Sequence, residues 1–262
     1  MIPCAGFGTR LLPITKAVPK ELLPIGRKPA IHYVVEDLVN AKIHELIFVC
    51  NRTKMSVADY FLHNELLANF LKREGKEEEL AELEKIEKSV AIQVVYQNTP
   101  RGLGDAIRCA ERATGSDPFL VVLPDDLIFP MEQASSRLLD VCRQRGGWAV
   151  LLERVPKERV SSYGIIRGRE VEPGLFQVEG AIEKPSASEA PSDLAIIGRY
   201  LLTKEIYPFL HKSEEPAGEI QLTDAINHLA KSEHGWGILC EGRRFDVGNP
   251  QGLMQASRFV GQ

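Results

Sequence analysis

The run Ala5-Gly6-Phe7-Gly8-Thr9-Arg10, with Pro19-Lys20-Glu21 a short way on, has the residue types of a phosphate clamp. Glycine at 6 and 8 lets backbone N–H groups approach a polyphosphate with no Cβ in the way, while Thr9, Arg10 and Lys20 add a hydroxyl and two cations. The segment reads as a clamp for a nucleoside triphosphate. It meets neither common template: a P-loop needs GxxxxGK[ST] and a dinucleotide fold GxGxxG, whereas Gly6-Phe7-Gly8 continues as Thr9-Arg10-Leu11. Taken alone, a Gly-x-Gly is more often a plain tight turn. The specific signal is its combination with Arg10, Pro19 and Lys20.

Four later stretches carry further candidates. Pro124-Asp125-Asp126 follows the apolar run Phe119 to Leu123, and a carboxylate at the C-terminal end of a buried strand is placed to hold a hard cation against phosphates, although Asp is also a common turn residue there. Glu183-Lys184-Pro185 sets a carboxylate beside an ammonium, which suits the hydroxyls and the phosphate of a sugar phosphate and is equally what an exposed surface pair looks like. Gln97 ends a strand just before Gly102, where an amide and bare backbone could meet the edge and face of a base. Asp246, in Phe245-Asp246-Val247-Gly248-Asn249-Pro250, reads as one Asp on a late loop and says little by itself. There is no Ser-His-Asp or Cys-His constellation, so chemistry here would not rest on a protein nucleophile.

The opening PCAGFGTRLLPITKAVPKELLPIGRKPAIHYVVEDL resembles the start of the nucleotidyltransferases that make nucleotide sugars, and among them the bacterial UDP-glucose pyrophosphorylases. The Pro-Lys-Glu form and the run Gly218-Glu219-Ile220-Gln221-Leu222-Thr223-Asp224 extend the resemblance over nearly the whole chain. It implies nucleotide contacts from Ala5, Gly6, Gly8, Thr9, Arg10 and Glu21, and pyrimidine recognition by Gln97 and Gly102. It implies sugar-phosphate contacts from Gly164, from Glu183 to the glucose hydroxyls and from Lys184 to the phosphate. Mg2+ would sit on Asp125 and Asp246, with Arg10 and Lys20 on the leaving pyrophosphate. The implied reaction moves the uridylyl group of UTP to glucose 1-phosphate without a covalent enzyme intermediate, in a homodimer or homotetramer. A thymidylyltransferase using dTTP and a non-catalytic paralogue that binds sugar nucleotides are the alternatives.

These groups need a rigid frame, and the periodicity supplies one. Pro29 to Ala41 repeats apolar residues at spacings of three and four, as an amphipathic helix does; Leu46 to Cys50 is a continuous apolar strand of the kind a parallel sheet buries. Strand, helix, strand predicts a doubly wound start. The fold class expected is α/β: a Rossmann-like, mixed but mainly parallel central sheet flanked by helices, with a small β-rich sugar-binding lobe. Residues 53 to 88 read as a charged helical pair on the sheet edge, broken at Gly75, with Leu66, Leu67, Phe70 and Leu71 and then Leu80, Leu83 and Ile86 as narrow apolar stripes, that could also form a subunit contact. Tyr163 to Ile166 and Leu175 to Glu183 predict hairpins with turns at Gly168 and Pro173-Gly174, and Gly164 would let a pyranose lie against the backbone. Strands are also expected at Val90–Tyr96, Trp148–Val155, Leu194–Leu202 and Trp236–Cys240. Helices follow Gly218 and Pro250; Glu219 has two readings, reaching a sugar or packing and capping. The chain is expected to be one domain, a nucleotide-binding half over 1–147 and a sugar-phosphate half with the C-terminal helix over 148–262. Only Met1 to Cys4 precede the glycine loop, so either the natural start lies upstream or the central strand is weakened.

Composition narrows the function classes. Of 262 residues, 44% are hydrophobic and 26% charged, enough for one large core. A net charge of -4 gives no general attraction to nucleic acid or an anionic membrane, so phosphate must be held by a local site, and neither is an expected partner. No apolar run is long enough to cross a bilayer, and the scattered, odd set of five cysteines suits reduced thiols in a cytoplasmic protein. Neither cysteines nor histidines are spaced for zinc, which leaves a hard cation on carboxylates.

Overall fold

A computed structural model describes residues 1–130, 134–212 and 218–261. β1 (Ile2–Pro3) leads into the glycine loop and then into the two-stranded ribbon of β2 (Pro24–Ile25) and β3 (Lys28–Pro29). α1 (Ala30–Asn40) begins directly after Pro29, whose fixed φ suits a helix entry, and buries Ile31, Val34, Val35 and Leu38 as its spacing predicts. β4 (Glu45–Cys50) follows. The insert carries three helices where a pair was expected, α2 (Ser56–Asp59), α3 (Glu65–Arg73) and α4 (Glu77–Glu87), with Gly75 at φ +67 separating the last two. Ala68, Leu71 and Leu80 make a small cluster of their own, whereas Leu66, Leu67 and Phe70, expected in the same apolar stripe, remain exposed.

β5 (Ala91–Tyr96) precedes α5 (Leu103–Cys109) and α6 (Glu111–Thr114), and β6 (Phe119–Val122) is buried along its whole length. β7 (Asp126–Phe129), α7 (Ala134–Arg145), β8 (Trp148–Arg154), β9 (Gly164–Glu172), β10 (Leu175–Glu183) and β11 (Leu194–Leu202) follow, then α8 (Tyr207–Lys212), α9 (Leu222–Leu229), β12 (Gly235–Leu239), β13 (Arg243–Asp246) and α10 (Pro250–Val260). Two details correct the sequence reading. Gly168 is no turn: it lies inside β9 opposite Val178, where the carbonyl of Gln177 fills the space its Cβ would need. Asp246 is no loop residue either: it ends β13, directly opposite Asp126 of β7. The helix at α7 has no counterpart in the sequence reading.

β1, β4 and β5 form a parallel sheet in the order β1-β4-β5, and a six-stranded sheet runs β6-β11-β8-β12-β10-β9. The short β1 is secured from both flanks. Ile2 lies opposite Phe48 on one side; on the other the Val122 N–H donates to the Met1 carbonyl, and the Met1 nitrogen donates to the Leu120 carbonyl. Within the larger sheet β8 and β12 are parallel, and the remaining pairs antiparallel. Successive residues of β8 face opposite sides: Ala149 and Leu151 join the cluster under α1 and α7, while Trp148, Val150 and Leu152 join the one under α5 and α9. Helices therefore cover both faces, and the strand ends are left to carry function. One buried ion pair crosses the core, Arg199 Nε to Asp37 Oδ2 at 2.9 Å, with Ser135 Oγ also donating to Asp37.

Candidate active site

The glycine loop hangs from its carbonyls. Asn51 Nδ2 donates to the Ala5 carbonyl at 2.8 Å, and Lys54 Nζ donates to those of Cys4 and Gly6 at 3.1 and 2.6 Å. Among the described residues the N–H groups of Gly6, Phe7 and Gly8 make no hydrogen bond, and nothing lies within 4 Å of where a Gly6 Cβ would be. Free amides over an open face are what an anion needs. Gly8 takes φ +67, a region that L side chains avoid, and its carbonyl accepts from Thr15 Oγ1. Thr9 and Arg10 lie on the exposed side of the loop.

Glu21 serves the loop from below. Its side chain has no exposed surface and meets Lys54 Nζ at 2.8 Å, so it holds the lysine that holds the loop and has no surface left for a nucleotide. Burial pushes its carboxyl up, partly offset by Lys54 and Lys20. Lys20 Nζ donates to Asp125 Oδ2 at 2.5 Å. Burial alone would raise the Asp125 carboxyl, but Lys20 and Arg10 outweigh it and hold it below the usual carboxylate range. Arg10 reaches across to both acids, 3.7 Å from Asp125 and 3.3 Å from Asp246.

The two acids converge because residue 248 is glycine. A Cβ there would stand 2.6 Å from Asp125 Oδ2, 3.0 Å from Asp246 Oδ1 and 2.7 Å from Arg10 Nη2. The Gly248 N–H also donates to Asp246 Oδ1. The two carboxylates, bridged here by Arg10, are oxygen donors of the kind that could hold Mg2+, which fills its remaining positions with water and substrate phosphate. Asp126, next in sequence, is drawn away: Arg244 binds it at 2.7 Å and Glu153 at 2.9 Å, and its Nη1 lies 3.4 Å from Tyr163 Oη. Neither Gly248 nor Arg244 was singled out from the sequence; the Phe245-to-Pro250 run contains Gly248, and nothing in the sequence marked Arg244.

On the β-rich side, Glu183 ends β10, with Lys184 Nζ 3.2 Å from its Oε1 and Thr223 Oγ1 donating to its Oε2 at 2.6 Å. Lys184 holds φ +44, a conformation costing a non-glycine residue about 1 to 2 kcal/mol, and strain of this kind gathers at functional sites. Gly164 faces the same space, but what approaches it is the Thr223 hydroxyl, 2.6 Å from the place of a Cβ. Gln97 is buried and gives its amide N–H groups to Asp105 Oδ2 at 2.7 Å and the Gly102 carbonyl at 3.2 Å. Gly102 has φ +91, and the Glu219 side chain fills the position beside it.

Arg10, Asp125, Asp246, Gly164, Glu183 and Lys184 line one cleft of about 280 Å3, with Lys20 bonded to Asp125 at its rim. Gln97 and Gly102 stand outside it, joined to it through Glu219. No histidine or cysteine lines the cleft among the described residues. Its side chains of both charge signs, gathered at this edge of an α/β sheet, suit a protein that binds anionic phosphate substrates.

Comparison with known proteins makes the class specific. The nucleotidyl transferase family model matches residues 1–262, and the chain belongs to that family. It is 40% identical over 262 residues to the UTP–glucose-1-phosphate uridylyltransferase YngB of Bacillus subtilis (strain 168), covering 100% of this chain and 88% of that one. A UDP-glucose pyrophosphorylase solved with UDP-glucose superposes with a TM-score of 0.90 at 36% identity, covering 99% of this chain and 97% of the other. The UTP-bound enzyme from Acinetobacter baumannii gives 0.91 at 35% identity, covering 99% and 92%.

Proposed function

We propose that this protein is a UTP–glucose-1-phosphate uridylyltransferase. The observation that carries the proposal is the convergence of Arg10, Lys20, Asp125, Asp246 and Lys184 on a single cleft next to a loop of free amides.

The phosphate of glucose 1-phosphate is already ionised at neutral pH. One of its oxygens attacks the α-phosphorus of UTP in line, the bond from that phosphorus to the bridging oxygen breaks, and the electron pair leaves with pyrophosphate. The obstacle is bringing two polyanions together: unit charges about 4 Å apart repel by about 4 kcal/mol at an effective dielectric near 20. The free N–H groups of Gly6, Phe7 and Gly8 receive the triphosphate, with Arg10 and Lys20 taking up the charge that develops on pyrophosphate. Lys184 draws in the sugar phosphate, and Glu183 accepts from sugar hydroxyls. Asp125 and Asp246 would hold Mg2+, which supplies a positive charge between the reacting phosphates. Once substrates carry the negative charge, Arg10 and Lys20 are free to trade these carboxylates for phosphate oxygens. Gln97, its amide N–H groups held by Asp105 and the Gly102 carbonyl, keeps its Oε1 for the pyrimidine, while Glu21 through Lys54, and Asn51 through the Ala5 carbonyl, fix the loop from beneath.

The reading extends to a cytoplasmic homodimer or homotetramer, which light scattering on the purified protein would check. The deciding experiment is pyrophosphate release with glucose 1-phosphate and Mg2+ across UTP, dTTP, ATP, CTP and GTP. UTP should give by far the highest kcat/KM. Preference for dTTP would make it a thymidylyltransferase, and no release with any nucleotide would make it a binder.

A further inference from the structure

We infer that Thr223 is a positioning residue for the sugar-binding carboxylate, an inference that rests on the uridylyltransferase reading above. Glu183 is a long side chain at a strand end, with its side chain about one-fifth exposed, and its neighbour Lys184, itself half exposed, meets only its Oε1. Thr223 holds the other oxygen. Its hydroxyl donates to Oε2 at 2.6 Å while Lys184 stands at 3.2 Å from Oε1, so each oxygen has one partner and keeps lone pairs for hydroxyls in the cleft.

The hydroxyl is itself rigidly placed. Thr223 is buried in the first turn of α9, whose Leu222, Ala225 and Ile226 pack under the sheet. Just before it, the Ile220 N–H donates to the Arg101 carbonyl at 2.8 Å, and the Ile220 carbonyl accepts from Gly104 at 3.0 Å. Both ends of this short segment are therefore pinned, one to the loop after Gln97 and the other to Glu183. Gly164 completes the arrangement: any Cβ there would lie 2.6 Å from the Thr223 hydroxyl and 3.4 Å from Glu183 Oε2, so the glycine makes room for the contact.

Thr223→Val keeps the shape and removes the donor. A hydrogen bond to a charged group carries enough free energy that its loss should raise KM for glucose 1-phosphate roughly tenfold. KM for UTP should stay within about twofold, because the nucleotide contacts are untouched. Thr223→Ser should restore the wild-type KM. In Glu183→Gln, adding Thr223→Val should cost little more, since paired residues are non-additive. Melting curves accompany each variant, and Thr223→Ala replaces Thr223→Val if the latter does not fold. Active wild-type protein together with an unchanged sugar-phosphate KM in Thr223→Val, no rescue by Ser, or full additivity with Glu183→Gln overturns the inference and leaves the proposed function standing. Wild-type protein that forms no UDP-glucose overturns both.

Discussion

Gly248→Ala tests whether Asp125 and Asp246 work as a pair. Its added methyl would lie 2.6 Å from Asp125 Oδ2, 2.7 Å from Arg10 Nη2 and 3.0 Å from Asp246 Oδ1, all inside ordinary contact. The Arg10 end is well exposed and can swing aside. Asp125 cannot do so freely, because Lys20 grips the same oxygen at 2.5 Å. To reach van der Waals distance the carboxylates must separate by roughly 0.8 Å, and displacements near 1 Å in a reacting constellation cost about a hundredfold. That corresponds to about 2.7 kcal/mol of transition-state stabilisation. Folding should lose less, about 1 kcal/mol, since the crowding opens onto the cleft and not into the core. The assay is steady-state pyrophosphate release across a Mg2+ titration, with thermal melting alongside: kcat should fall about a hundredfold with a near-native melting temperature. A variant with wild-type kcat and wild-type Mg2+ dependence would refute the idea that the two acids share one cation.

Lys184→Ala or Asp125→Ala should each lower kcat by on the order of a hundredfold or more while the melting transition survives, and near-normal turnover of either would remove its assigned role. Glu21→Gln strands Lys54 beneath the glycine loop and should destabilise the fold by about 3 to 5 kcal/mol, whereas Glu21→Gln with Lys54→Met should recover part of this; chemical denaturation measures both. Because Asp125 releases its proton more readily folded than unfolded, its pairing with Lys20 adds stability that is complete above the ordinary carboxylate pKa of about 4 and is lost as pH falls through the depressed folded value. Denaturation midpoints between pH 6 and 2 should show that acid loss, and Asp125→Asn should flatten it.

How legible the site was depends on the kind of residue. The glycine loop, the carboxylate at the end of β6 and the Glu183-Lys184 pair could be read in advance because each is a local pattern on an element whose period is visible, as Phe119 to Val122 and Leu175 to Glu183 are. The residues that hold those groups could not. Lys54 sits in a charged helical insert yet buries its ammonium on carbonyls far back in the chain, and Arg244 looks like any basic residue until Asp126 and Glu153 meet it. Gly168 misled for the same reason: a glycine reads as a turn, and only the neighbouring strand reveals that a carbonyl needs its space.

The amino-acid sequence by itself determined most of the long strands, the helices α1, α9 and α10 and the residue types that suit phosphate, since apolar period, glycine and charge act over a few neighbouring positions. Tertiary structure alone decided that Asp125 and Asp246 both border Gly248, that Glu21 meets Lys54 underneath the loop, and that the Thr223 hydroxyl donates to Glu183. Those pairings join residues distant along the chain, and their distances follow from how the strands cross and pack, which no local pattern records.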